Sequence, residues 1–450
     1  MKVKDLYSRV CSFSKVSYIT PGLKDFLEAD AEKLRRSIEE GPSKMSDELC
    51  GLIRGLWIPK IPEEHVDVGR VAAVDGGIIR FRLANGGAFV VVAAQGIGRG
   101  VTEMSSVECS VVYPPHSGYG RLMMKKLELK TGLKMLESLG PGDVLLMDGS
   151  LYGLLSTLLV TPRGTPEGYG ILLIEYFTTL FDFLDKAMNN KTLVLFLSKV
   201  SSSRYLRDYL LARLFNEEVK KLKDLGVLEA EDLNTVEELH HKVFRKPVEA
   251  LEYVRHLSKK YGHVVDRLAD LVGEGVSKTP DLLLLGRVIS GKGYTKPALL
   301  GASSAQRDEL GKKLSPELVR KILKRLMVDR SYTNMVEEVL KRLQDVYAVI
   351  SFYAKFGPYD HPLKIDLPCF CLGIENRLFD VYIPEVHDDL DIEEILKILS
   401  NMYGGPEVYN IWLYQSDRLA RLSRREAPLI AGLLERYLGP LPLARRPISQ

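Results

Sequence analysis

The chain has 450 residues, 46 % of them hydrophobic and 27 % charged, which is enough apolar material for a sizeable core and excludes a disordered or low-complexity protein. Lys and Arg number 62 against 59 Asp and Glu, a net charge of +3, so any surface for a polyanion has to be local. No apolar run reaches the roughly 18 residues needed to cross a membrane, and the N-terminus lacks the apolar stretch of a secretory signal, so a cytoplasmic protein is expected.

In chain order, residues 1–62 read as an N-terminal helical segment, with Leu23, Phe26, Leu27, Ala31 and Leu34 at helical spacing and Pro59 and Pro62 closing it. The period then changes. Val71–Val74 is a short apolar run with Gly76-Gly77 as a turn signal behind it. Ile78–Leu83 alternates apolar residues with Arg, Asn85-Gly86-Gly87 is a hairpin turn, and Phe89–Ala94 follows as a strand. Three antiparallel strands are expected within 71–113. A helix is expected over 119–139, a buried strand at Asp143–Met147, a helix over 169–189 and a strand at Thr192–Leu197.

From 204 to 345 the sequence predicts a helical insertion: helices over 205–225, 235–261, 315–327 and 334–343, with a loop at 290–300. Strands return at 346–351 and 363–371. Two helices, near 391–401 and 412–437, complete the core segment 346–438, and 439–450 reads as a Pro-rich tail. The order β-β-β-α-β-α-β within 63–203 predicts an α/β, ribonuclease H-like mixed sheet flanked by helices. Five scattered cysteines (Cys11, Cys50, Cys109, Cys369, Cys371) suit reduced thiols, and Cys369-x-Cys371, without a second pair, reads as buried thiols in a strand. Scarce Gln among abundant Lys, Arg and Glu suggests a thermophile.

Two segments echo each other. Val74-Asp75-Gly76-Gly77 and Met147-Asp148-Gly149-Ser150 each set an Asp at or near the end of an apolar strand, with glycine directly after it. In this topology the first and fourth strands are neighbours, so the two carboxylates share one edge. Two anions held together call for a cation. Glu128 on the intervening helix is a third candidate, with Glu103, Glu108 and Glu137 as rivals by spacing. An all-oxygen Asp–Glu–Asp set suits Mg²⁺ or Mn²⁺ rather than zinc. Two such ions about 4 Å apart would serve phosphodiester cleavage. Lys199, directly after a buried strand, is a candidate for offsetting charge on a phosphate. Basic residues gather on predicted helices at 204–223, at 312–325 and at Arg418, Arg421, Arg424 and Arg425, the last group on one helical face as candidate DNA contacts.

With these pieces in place the chain resembles the NurA nuclease family. The resemblance rests on Ala73–Gly77, Leu145–Leu151, Leu197–Ser203, Ser277–Leu283 and Pro362–Pro368. It implies a Mn²⁺-dependent (or Mg²⁺-dependent) exo- and endonuclease for single-stranded DNA. Such an enzyme would act in DNA end resection and double-strand break repair with a HerA-type hexameric translocase, as a homodimer, in archaea and thermophiles. It assigns metal binding to Asp75, Glu128 and Asp148, choosing Glu128 over its rivals, and implies a Tyr near the site, which Tyr409 supplies. Where the family has His eight residues later, this chain has Asp417, a candidate further ligand. Two other readings stand beside it: a catalytically silent DNA-binding adaptor of a translocase, and another ribonuclease H-like nuclease acting on RNA or branched DNA.

Overall fold

Alternation of side chains along strands and the glycines between them explain how the sheet is laid down. The computed structural model describes residues 47–449 apart from 115, 157–165, 167, 243–246, 277–278, 303–305, 308–309, 311–313, 383, 423–425 and 440–442. Most of the expected N-terminal helical segment, with Cys11, Lys312, Lys313, Arg424 and Arg425, therefore lies outside the described residues.

Helix α1 (Asp47–Gly55) and the short β1 (Trp57–Ile58) precede a meander of β2 (Val71–Leu83), β3 (Ala88–Arg99) and β4 (Met104–Val112). Then come α2 (Ser117–Met135), β5 (Val144–Asp148), α3 (Leu151–Ser156), α4 (Tyr169–Asn190) and β6 (Leu193–Ser198). The strands run β4-β3-β2-β5-β6, with β2–β5 and β5–β6 parallel and β2–β3 and β3–β4 antiparallel. This is the expected ribonuclease H-like order. A parallel strand at the middle of a sheet is covered on both faces, and Val144–Met147 is apolar throughout and buried. Ala72, Val74, Leu145 and Met147 pack toward α2 and α4, while Val71, Ala73, Val144 and Leu146 face the opposite core.

The helical stretch that follows holds α5 (Tyr205–Asp224), α6 (Ala230–Lys242), α7 (Pro247–Tyr261), α8 (Asp266–Val276) and α9 (Asp281–Val288). Helices α5 to α8 share a small core of their own around Phe215, Val236, Val254 and Leu268. The single helix expected over 235–261 is two. The loop expected at 290–300 is instead a pair of short strands, β7 (Gly293–Thr295) and β8 (Ala298–Leu300). Both add to the later strand β9 (Val349–Lys355), which is buried along its whole length. Between β8 and β9 come α10 (Pro316–Leu326) and α11 (Thr333–Asp345). Strand β10 (Leu363–Pro368) joins β9 to β6, both antiparallel, and extends the sheet well beyond its five-stranded core. It stops at Pro368, which lacks a ladder donor. Residues 369–372 form a 3-10 turn, so Cys369 is buried outside a strand and Cys371 is only half-buried.

Beyond β11 (Glu385–Val386) and α12 (Glu393–Asn401), the long helix expected over 412–437 is broken into α13 (Ile411–Ala420) and α14 (Ala427–Leu438). Pro428 sits in the first turn of α14, where its missing N–H costs no helical hydrogen bond, and so marks a helix start rather than an interior. The Ala420 carbonyl rests directly on Gly77, where a Cβ would lie 2.0 Å from its oxygen, and the backbone is extended at Arg421. Arg418 lies on α13 and Arg421 just past its end, so the single helical face expected for them does not run through Arg421. The expected tail is also structured: β12 (Leu443–Ser449) pairs antiparallel with Arg80–Leu83 of β2.

Gly76-Gly77 is strand interior, not a turn. Strand β2 runs unbroken through it, so Asp75 lies in mid-strand. Along one edge β2 is paired with β5 only over Val71–Val74 and with β12 only from Arg80 onward. The residues between, Asp75 first among them, face the gap where these partners diverge.

Candidate active site

The last paired residues of the central parallel strands are Val74 and Met147, and the residues next in line are Asp75 and Asp148. Register therefore brings the two carboxylates together, about one strand spacing apart. Gly149 then turns the chain with a positive φ of 115°. Glu128 arrives from α2. Its carboxylate sits over Gly76, where a Cβ would come within 2.5 Å of Oε1. Only a residue without a side chain leaves that space, and the close approach explains why the strand carries glycine there. The rivals are elsewhere: Glu108 pairs with Lys126 on the far side of α2 at 3.0 Å, and Glu103 and Glu137 are exposed.

Asp75 and Glu128 both respond to burial and to neighbouring charge. Burial, then the Asp148 and Glu128 charges, push Asp75 up to about 8. Burial pushes Glu128 up to about 7, with Asp148 adding to the rise and Lys125 opposing it. The electrostatics of the site thus disfavour three free anions. Glu128 Oε1 is buried and has no hydrogen-bond partner. Glu128 Oε2 accepts from Lys125 Nζ at 2.7 Å. The same ammonium donates to the Asp148 main-chain oxygen at 3.1 Å and stands 3.9 Å from Asp148 Oδ2. Lys125 lies one turn before Glu128 on the same stripe of α2, a spacing present in the sequence as Lys-x-x-Glu. Among the described residues no set of three Asp, Glu, His or Cys side chains converges closely enough to enclose a metal as they stand. The oxygen donors and the orphaned Oε1 fit a hard divalent cation; the arrangement has Lys125 among them.

Tyr409 lies just ahead of α13, which Asn410 caps by accepting from the N–H groups of Trp412 and Leu413, both at 3.1 Å. Ser416 Oγ ties α13 to β3 by donating to the Gln95 carbonyl at 2.6 Å. The Tyr409 hydroxyl is buried beside Asp148, and burial together with the Asp148, Asp75 and Asp417 charges holds its pKa well above the usual phenol value. Lys199 follows β6 and lays its ammonium over the Tyr409 ring, 4.4 Å from the centroid. Asp417 is half-buried near Tyr409 and pairs with Arg421 at 3.3 Å. Arg418 is exposed beside Tyr414.

Asp148 and Lys199 also border a cavity of about 910 Å³, lined further by Ser203, Arg204, Tyr209 and Tyr382. Beneath it lies a charge pair to which the sequence assigned no role. Lys364 and Asp366 are fully buried on β10 and form an ion pair. Asp366 also accepts from Ser150 Oγ at 2.6 Å, the Tyr152 N–H at 3.2 Å and Ser351 Oγ at 2.7 Å. This pair anchors the turn that follows Asp148.

A family model described as the NurA domain matches residues 69–422. The chain belongs to the NurA family. The matched span contains every acid of the site and the whole helical stretch 204–345, so that stretch lies inside the NurA domain. The crystal structure of the NurA nuclease from Sulfolobus solfataricus is similar, with a TM-score of 0.51 at 14 % identity over 93 % of this chain and 98 % of that one. At that identity the likeness is one of fold. A crystal structure of NurA bound to dAMP and manganese aligns over 94 % of this chain and 97 % of its own, with a TM-score of 0.34 and 13 % identity. No curated protein matches the chain in sequence.

Proposed function

We propose that this NurA-family protein is a metal-dependent DNA nuclease, with Asp75, Glu128 and Asp148 as the residues that hold Mn²⁺ or Mg²⁺. The observation that carries the reading is the convergence of three carboxylates, from β2, α2 and β5, into a site whose burial and mutual repulsion raise the pKa values of Asp75 and Glu128. When bound, the divalent ion supplies charge neutralisation and water activation for attack on a phosphodiester. The chain's own groups do the rest. Lys199 places a cation beside the site, where charge builds on the phosphate. Tyr409, whose raised pKa keeps the phenol protonated, is a hydrogen-bond donor toward the reacting phosphate. Arg204 lines the adjoining cavity, which would receive the strand.

The finer reading is a single-stranded DNA exo- and endonuclease serving end resection with a HerA-type translocase, as a cytoplasmic homodimer. Family membership supports it, as does the absence, among the described residues, of any helix long and apolar enough to cross a membrane. Asp417 is proposed as an outer acidic group that orients Tyr409.

The test is cleavage of end-labelled single-stranded DNA in Mn²⁺, Mg²⁺ and EDTA, with Asp75→Ala and Asp148→Ala beside the parent. Metal-dependent cutting that falls at least ~10³-fold in both variants, with unchanged circular dichroism, is expected. Equal cutting by parent and variants would remove these acids from the reaction. Binding of DNA with no cutting under any metal would favour the silent adaptor.

A further inference from the structure

We infer that Lys125 is a built-in counter-ion of the acidic site: its ammonium holds Glu128 and Asp148 together when no metal is present, and an incoming divalent cation has to displace it. The inference rests on the proposed role of the acids as metal holders.

Four observations carry it. The Lys125 ammonium touches the very groups assigned to the metal, at 2.7 Å from Glu128 Oε2 and 3.9 Å from Asp148 Oδ2. A third contact, 3.1 Å to the Asp148 main-chain oxygen, fixes it over the end of β5 instead of letting it reach for solvent. The side chain is 23 % exposed, against 2 % for Glu128, so this is a mostly buried pair rather than a surface one. And the three acids do not form a closed donor set, because one oxygen of Glu128 is committed to Lys125 while the other is unpartnered. A buried ammonium among carboxylates does for the empty site what a metal does for the loaded one: it offsets repulsion that would otherwise splay the acids apart. It also repels a dication entering the same space. Lys125 borders the large cavity, which gives the displaced side chain somewhere to go.

Lys126, next in sequence, provides the internal contrast. It is also buried and also paired with two acids, Glu108 at 3.0 Å and Glu175 at 2.9 Å, but it points away from Asp75 and Asp148. It should have no influence on metal binding beyond the fold.

The experiment is calorimetric titration of the full chain with MnCl₂ alone, at pH 8.5 so that protons compete little for the carboxylates, on the parent, Lys125→Met, Lys125→Gln and Lys125→Arg. Thermal unfolding in EDTA accompanies it. Lys125→Met and Lys125→Gln should bind Mn²⁺ about tenfold more tightly or better, because a cation that opposes entry is gone. Both should unfold at lower temperature than the parent in EDTA and gain more from Mn²⁺. Lys125→Arg, which keeps the charge, should bind as the parent does. Gln retains a donor for Glu128, so it reports on the charge even if Met fails to fold. Parent-like or weaker Mn²⁺ affinity in the folded neutral variants would overturn the role of Lys125 while leaving the acids as metal holders. No Mn²⁺ binding by the parent itself would overturn both.

Discussion

Two buried charge clusters lie within a few residues of each other in this molecule, and they are built on opposite principles. In the Lys364–Asp366 pair both side chains are fully buried, and the carboxylate is saturated: Ser150, Tyr152 and Ser351 donate to it beside Lys364. In the Asp75–Glu128–Asp148 cluster, Lys125 is shared between two of the three acids, Glu128 Oε1 has no hydrogen-bond partner, and two of the acids have raised pKa values. A buried ion pair is stable when every lone pair has a donor. A cluster left short of donors and cations is poised for something it does not yet hold. The difference separates a structural brace from a site better than charge or burial alone, since both clusters have those.

The comparison can be broken most forcefully at Asp366. Asp366→Ala leaves Lys364 buried without its counter-ion and should cost about 3–5 kcal/mol, read as a shift in urea midpoint. The double change Lys364→Met with Asp366→Leu should recover much of that loss, because a fully satisfied pair can be exchanged for apolar volume. A small loss in the single variant would show that the pair is not the brace described.

The acidic site should behave in the opposite way. Asp75 and Glu128 have pKa values raised to about 8 and about 7 in the folded chain. Between about pH 4 and pH 8 these two groups hold more protons in the folded chain than in the unfolded one, so their contribution to the stability of the metal-free protein falls as pH rises across that window, in the same direction as that of the buried Asp208 and Asp281. Asp75→Asn removes one ionisation and should raise stability in EDTA at pH 8 by about 2 kcal/mol, flattening the dependence, although it should abolish cutting. Melting curves from pH 5 to pH 8.5 measure this; a parent whose stability climbs with pH would contradict the burial and repulsion described.

The smallest effect should come from the contact between the two clusters. Ser150→Ala removes one hydrogen bond to Asp366 and should cost about 1 kcal/mol, while Ser150→Thr, which keeps the hydroxyl, costs less. If the brace positions the turn after Asp148, Ser150→Ala also lowers kcat several-fold with little change in KM; unchanged kcat would make it a brace for the fold alone.

How much of this was legible in the sequence depends on the range of the interaction. The apolar run before Asp148, the alternation after Ile78 and the helix over 117–135 are local patterns, and they were enough to order the five core strands and to put Asp75 beside Asp148. Gly76-Gly77 misled for a physical reason. Glycine serves tight turns and close approaches equally, and only the arrival of Glu128 on one face and Ala420 on the other decides for the latter. The break in the last helix was legible in the sequence: Pro428, inside the expected 412–437 span, belongs at a helix start, and the structure puts it in the first turn of α14. Strands β7 and β8 are three residues each, too short for any period to show, and exist because β9 offers them an edge. Lys125 was one Lys among many; its spacing to Glu128 was visible, but its burial between two acids was not.

The site also has a clock in it. Asp75, Lys125, Glu128 and Asp148 lie within one stretch of chain, whereas Asp366 and Tyr409 follow about 220 and 260 residues after Asp148. At the ribosome's pace of roughly 5–20 residues per second, those partners emerge on the order of ten seconds to a minute later. A nascent chain thus displays its acids well before it has the brace that seats their turn or the phenol that covers them. Lys125, one helical turn from Glu128, belongs to the same early stretch as the acids, so this charge pair is encoded locally while the brace and the phenol are not.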